Sequence, residues 1–138
     1  MYVLDSDHLS LYQRGYEPIA QKIITLSPHE IYITVISAEE LIRGRLSQIR
    51  KASSPYEKVR AYQWFIRTLE FLHSFSILGY GAKSEAQFQL YVEQKIRIGT
   101  QDLRIAAITK SNDATLITRN RKDFERVPHL NMENWSTL

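Results

Sequence analysis

Four acidic residues stand at positions from which a folded chain can use them together. Asp5 follows the apolar run Tyr2-Val3-Leu4, and Glu40 lies in a helical pattern that leaves a second apolar run, Ile31-Tyr32-Ile33. Asp102 lies in the first turn of a helix opened by Gly99-Thr100, and Asp123 follows a third apolar run, Thr115 to Thr118. Carboxylates gathered without cysteine or a histidine-pair motif form an oxygen ligand set, suited to Mg²⁺ or Mn²⁺. Such a gathering repels itself too strongly to stay ionised and empty, so without a cation at least one carboxyl must have a raised pKa. Each acid also has a structural role open to it. Ser6 or Asp7 can cap the first helix, Ser37-Ala38-Glu39-Glu40 fits a capping box, Asp102 can serve the helix dipole, and Asp123 can be a solvated charge in a polar turn.

Other chemistries find less in the sequence. His8, His29, His73 and His129 are scattered without the spacing of a zinc hydrolase, and neither a G-x-S-x-G elbow nor a phosphate-cradling P-loop is present. The absence of cysteine excludes a disulfide framework, thiolate metal sites and a cysteine nucleophile. Arg43, Arg45, Arg119, Arg121 and Lys122 lie close in sequence to the acids, where they can hold phosphates or form a solvated face.

The acids matter only if the chain brings them to one place. Tyr2–Leu4, Ile31–Ile33, Ser76–Leu78 and Thr115–Thr118 read as strands. Between them, helical spacing is predicted from Ser6 or Asp7 to Arg14, around Ile19 to Leu26, from Ala38 to Ile49, from Tyr56 to about His73, around Ala86 to Val92, and from Thr100. In the long helix after Tyr56, the recurring Val59, Tyr62, Phe65, Ile66, Leu69 and Leu72 predict an amphipathic helix, and its aromatics, Trp64 and Phe65 among them, suit a core or a dimer surface. Strands alternating with helices in this order predict an α/β fold, a three-layer α/β/α sandwich with a mainly parallel sheet. In such sheets ligands bind outside the carboxyl ends of the strands, where all four acids would lie.

The 138 residues, 43% hydrophobic and 24% charged, suit one compact domain spanning 1–138. No stretch has the length and apolarity of a membrane span, and the start lacks the pattern of a secretion signal, so a soluble, cytoplasmic protein is expected. A net charge of +3 suits an anionic partner without requiring one.

Several segments carry a family resemblance: V-L-D-S-D-H-L-S at the start, E-L-I-R-G from Glu40, I-G-T-Q-D-L-R-I-A from Ile98, L-I-T-R-N-R-K-D-F-E-R-V-P from Leu116, and a closing E-N-W. Together they resemble the PIN-domain family, and within it the VapC toxins of bacterial toxin-antitoxin pairs. The resemblance runs nearly end to end, with little between Ser47 and Gln94 beyond helical pattern. It implies a Mg²⁺-dependent endoribonuclease, Mn²⁺ substituting, that acts on RNA, forms a homodimer and is held inactive by a cognate VapB-like antitoxin. Asp5, Glu40 and Asp102 match the family's acidic positions. Where many members carry Asp after a Thr-x pair, this chain has Asn120, with Asp123 three residues on. An Asp that many relatives carry near the position of Gly81 is missing here.

On this reading Asp5 and Asp102 hold the metal, Glu40 and Asp123 complete the set or orient the attacking water, and Ser6, Thr118 and Asn120 hydrogen-bond around them. Arg43, Arg119 and Arg121 bind the RNA backbone. Two rivals remain open. The Asp5-Ser6-Asp7 start also fits an aspartyl-phosphate phosphatase, with Asp5 as nucleophile and Asp7 as acid/base. A non-catalytic RNA- or protein-binding module with a weakened site is the other, and Asn120 is its best argument.

Overall fold

The computed structural model describes residues 1–137. Five parallel strands form one sheet: β1 (Tyr2–Leu4), β2 (Ile31–Thr34), β3 (Ser76–Leu78), β4 (Thr115–Ile117) and β5 (Asn131–Glu133), in the order β3-β2-β1-β4-β5. Seven α-helices lie among the described residues: α1 (Ser6–Gln13), α2 (Glu17–Ile24), α3 (Val35–Lys51), α4 (Pro55–His73), α5 (Ala82–Glu93), α6 (Thr100–Ser111) and α7 (Arg121–Phe124). A one-turn 3₁₀ helix, Pro28–Glu30, precedes β2.

The sheet separates two cores because side chains alternate across it. Val3 and Leu116 point to one face, where they meet Leu103, Ile105 and Ile108 of α6, Tyr91 of α5 and Phe124 of α7. Leu4, Ile31, Ile33 and Ile117 point to the other, where they meet Leu9 of α1, Ile19 of α2, Leu41 of α3, Leu72 of α4 and Trp135. Burial on both faces is why the central strands read as unbroken apolar runs. This is the predicted α/β/α sandwich.

The strand order reverses beside β1: β2 and β3 are laid down on one side of it, β4 and β5 on the other. The carboxyl ends of β1 and β4 therefore flank the topological switch point, where open parallel sheets bind their ligands. The Asp5 N–H donates to the Ile117 carbonyl at 3.0 Å and continues the pairing one residue past β1.

Local details differ from the sequence reading. α1 is capped by Asp5, whose carboxylate accepts from the His8 N–H at 2.7 Å, and neither Ser6 nor Asp7 serves as cap. α3 is capped by Thr34, whose hydroxyl accepts from the Ser37 N–H at 3.1 Å, so Ser37 and Glu40 form no capping box. The helix starts as soon as β2 ends, which places the cap upstream and leaves the Glu40 carboxylate out of it. A capping box exists instead between Ser27 and Glu30. Gly15 ends the first helical segment as expected, in the left-handed region at φ 80°.

The amphipathic α4 keeps little of its apolar face in the core. Its buried residues are Ala61, Thr68 and Leu72. Val59, Tyr62, Ile66 and Leu69 are exposed. The small Ala61 and Thr68 let α4 pack closely against the rest of the fold, and the bulky stripe is turned outward.

Candidate active site

Asp5 reaches the site because β1 ends there and the chain turns directly into α1. Its side chain is nearly buried; Oδ1 caps the helix, and Oδ2 has no hydrogen-bond partner among the described residues. Asp102 sits in the first turn of α6, a helix anchored by the buried Leu103 and the run from Ile105 to Thr109. No hydrogen bond reaches its carboxylate among the described residues, so neither oxygen is committed elsewhere. Glu40 approaches from α3, and its Oε1 accepts from the Ser6 hydroxyl at 2.6 Å. Ser6 Oγ also lies 2.9 Å from Ser37 Oγ, and Ser37 is fully buried. Asp123 is carried by α7, pinned by buried Phe124, and its Oδ2 accepts from Asn120 Nδ2 at 3.0 Å. The Asn120 backbone N–H in turn donates to the buried Thr118 hydroxyl at 3.0 Å.

These elements surround a cleft of about 500 Å³ lined by Asp5, Ser6, Asp7, Asp102, Arg119, Asn120 and Phe124. Glu40 and Asp123 stand beside it rather than in its lining. The electrostatics tie all four acids together. The Asp102 carboxyl is pushed up to about 6, first by burial and then by the charges of Glu40, Asp5 and Asp123. The raised carboxyl expected of a crowded acidic cluster is therefore Asp102.

The donor set fits a divalent, oxygen-preferring cation: hard carboxylate oxygens, uncommitted on Asp102 and half-committed on Asp5, with a repulsion that positive charge would relieve. A second grouping, Asp5, Asp7 and His8, also brings possible ligand atoms within 4.8 Å of one another. Its chemistry is unsuitable. His8 Nε2 accepts the Trp135 N–H at 3.2 Å, which leaves the ring proton on Nδ1, facing Asp5 Oδ1 at 3.4 Å. Asp7 is tied to Arg119, with Nε to Oδ2 at 2.6 Å and Nη2 to Oδ1 at 3.0 Å.

The arginines divide. Arg119 lines the cleft. Arg43 is bonded to Glu39 at 2.6 Å on an exposed face of α3, and Arg121 is exposed beyond the cleft lining. Sequence reading missed the partner of Asp7, which lies 112 residues away, and gave Ser37 no role beyond an optional cap. The hydroxyl-rich pattern Ser6, Thr34, Ser37 around a buried acid was the available signal for Ser37.

Comparison with known proteins shows the family and the fold. The PIN domain family model matches residues 2–130. Ribonuclease VapC2 of Rickettsia felis is 39% identical over 69 residues, 47% of this chain and 52% of the relative. The chain thus spans about half the length of the first curated relatives it matches. Ribonuclease VapC1 of Haemophilus influenzae is 29% identical over 142 aligned residues, covering 99% of this chain and 98% of the relative. The solved VapBC-1 structure from nontypeable Haemophilus influenzae superposes with a TM-score of 0.76 at 26% identity, covering 99% of this chain and 98% of that one.

Proposed function

The chain belongs to the PIN domain family, and from that premise we propose that it is a Mg²⁺-dependent endoribonuclease toxin, one nuclease domain over 1–138, restrained by a VapB-like antitoxin. The observation that carries this reading is the carboxylate cluster at the sheet's switch point, with the Asp102 carboxyl pushed up to about 6 by burial and then by its acidic neighbours. Relatives of nearly equal length bear the name ribonuclease, and a neighbour in structure is a VapBC complex.

Asp5 and Asp102 would hold Mg²⁺, or Mn²⁺ in its place, with Glu40 and Asp123 adding negative charge nearby. Bound there, the cation would supply charge stabilisation for the phosphate and acidify water. The protein's own groups do the rest. Ser6, donating to Glu40 Oε1, fixes that carboxylate so that Oε2 can orient a water and take its proton as the water oxygen attacks phosphorus. The new P–O bond forms as the bond to a ribose oxygen breaks, and that oxygen leaves with a proton from solvent. Asn120 holds Asp123 in place through its amide, so the missing charge at position 120 is offset by an oriented neighbour. Arg119, with Arg121 further out, meets the phosphodiester backbone.

The exposed Tyr56, Val59, Tyr62, Ile66 and Leu69 of α4 form an apolar stripe of the kind a protein partner covers, antitoxin or second copy. No helix among the described residues is long and apolar enough to cross a membrane.

The test is cleavage of total RNA by the purified chain, free of any partner, in Mg²⁺ and in EDTA, beside Asp5→Asn. Discrete cuts that need the metal and vanish in Asp5→Asn are expected. RNA bound but uncut by the folded protein under every condition would move the reading to the non-catalytic module.

A further inference from the structure

We propose that Asp7 stores Arg119 at the rim of the acidic cleft, and that an RNA phosphate takes the guanidinium over when substrate docks. The inference rests on the nuclease reading above and adds to it a device that sets substrate affinity.

Asp7 sits in the first turn of α1, and Arg119 two residues past β4, on opposite sides of the switch point. They meet in a two-point fork, 2.6 Å and 3.0 Å. A phosphodiester offers two non-bridging oxygens that the same planar fork can grip. The pair is open to a ligand, since the Arg119 and Asp7 side chains are 52% and 45% exposed. Both line the cleft with Asp5 and Asp102, and Arg119 is the cationic residue in that lining. An exposed pair is weak enough to be exchanged.

Nothing in the helix itself accounts for the fork. The cap of α1 is Asp5, and Asp7 makes no hydrogen bond other than those to Arg119 among the described residues. Held by Asp7, the guanidinium waits at the rim of the cleft, where a phosphate can take it over.

A hook that starts out paired has part of its affinity cancelled. Asp7→Asn should therefore tighten RNA binding, by roughly two- to five-fold on the scale of exposed ion pairs, and Arg119→Gln should weaken it. In the Arg119→Gln background, Asp7→Asn should change nothing, because there is no guanidinium left to release.

The experiment measures fluorescence anisotropy of a short, fluorescein-labelled single-stranded RNA of mixed sequence. It uses the full chain with Mg²⁺ in an Asp102→Asn background that prevents cutting, carrying each single change and the double. Asp7→Ser repeats the arm with a residue equally at home at a helix start, and thermal melts confirm that each variant is folded. Tightening that depends on Arg119 supports the proposal. Equal tightening with and without Arg119 would mean that Asp7 acts by plain repulsion, and overturns it; so does no change in either background. No RNA bound by any variant overturns the nuclease reading as well, which the separate cleavage assay on the unmutated chain checks independently.

Discussion

The groove lined by Gln48, Tyr56, Trp64 and Arg67, along α3 and α4, encloses about 990 Å³, against 500 Å³ for the acidic cleft. In the groove, several polar and charged groups have neutral or local partners, and no cluster of like charges converges among the described residues. Glu57 accepts from the Ser53 N–H at 3.1 Å, Arg60 donates to the Tyr56 hydroxyl at 3.0 Å, and nearby Arg45 stacks 4.8 Å from the Trp64 ring while bonding Gln48. In the cleft, four carboxylates converge and one is forced well above its ordinary range. Volume reports how helices pack; unresolved charge conflict marks where a ligand is needed. The smaller depression is therefore the one assigned chemistry.

Rate measurements separate the two regions most widely. Asp102→Asn or Glu40→Gln should lower RNA cleavage by roughly 10²–10³-fold, the scale for one electrostatic group at a reacting centre. Gln48→Ala in the groove should leave cleavage within about two-fold. Equal losses from both sites would remove the distinction.

Metal binding should appear as stability in the cleft alone. At a Mg²⁺ concentration about a hundred times its Kd, the folded state should gain about 2.7 kcal/mol. Calorimetric melts should show that gain disappearing in Asp102→Asn and surviving Gln48→Ala. It should also shrink as pH falls below about 6, where Asp102 retains its proton.

Without metal the pH dependence has the opposite sign. Asp102 is raised from 3.8 to about 6 on folding, so between those values the folded state keeps a proton that the unfolded chain has lost. Stability should fall as pH rises through that window and level off above it. Because the side chain is only partly shielded, the fall is on the order of 1–2 kcal/mol after solvent screening. Asp102→Asn should abolish it and leave the metal-free protein more stable than the unmutated chain at pH 8, as denaturant titrations at the two pH extremes would reveal.

The smallest effect belongs to the groove's neighbour. Arg45 is a nearly buried cation without a carboxylate partner, its pKa lowered by burial and by Arg14. Arg45→Met should change stability by no more than about 1 kcal/mol, since relief of the buried charge offsets removal of the Trp64 stacking and the Gln48 hydrogen bond, with cleavage unaltered.

The central strands and the gathering of the four acids near one sheet edge were legible in the sequence for physical reasons. A strand buried on both faces must be apolar throughout, and the residue after it is where polarity resumes, which is how Asp5 stands out. β5 was not legible, because an edge strand reading Asn-Met-Glu, with only Met132 partly buried, carries no such signal. α7 is a single turn and escapes any periodicity. What covers the α4 stripe was not legible, because helical spacing reports that a face is apolar, not what covers it. Caps were ambiguous wherever Asp, Ser and Thr crowd together, as at Asp5-Ser6-Asp7, and only strand register decides among them. The Asp7–Arg119 fork joins residues 112 apart and leaves no local trace.

Everything assigned to the cleft depends on carboxylates at the switch point that conflict until a cation joins them. Following the Asp102 carboxyl carbon by NMR across pH, first without metal and then with saturating Mg²⁺, measures that conflict at its source. A midpoint near 6 is expected in the metal-free protein, moving well down when Mg²⁺ is added. An ordinary carboxylate midpoint in both samples would contradict the assignment.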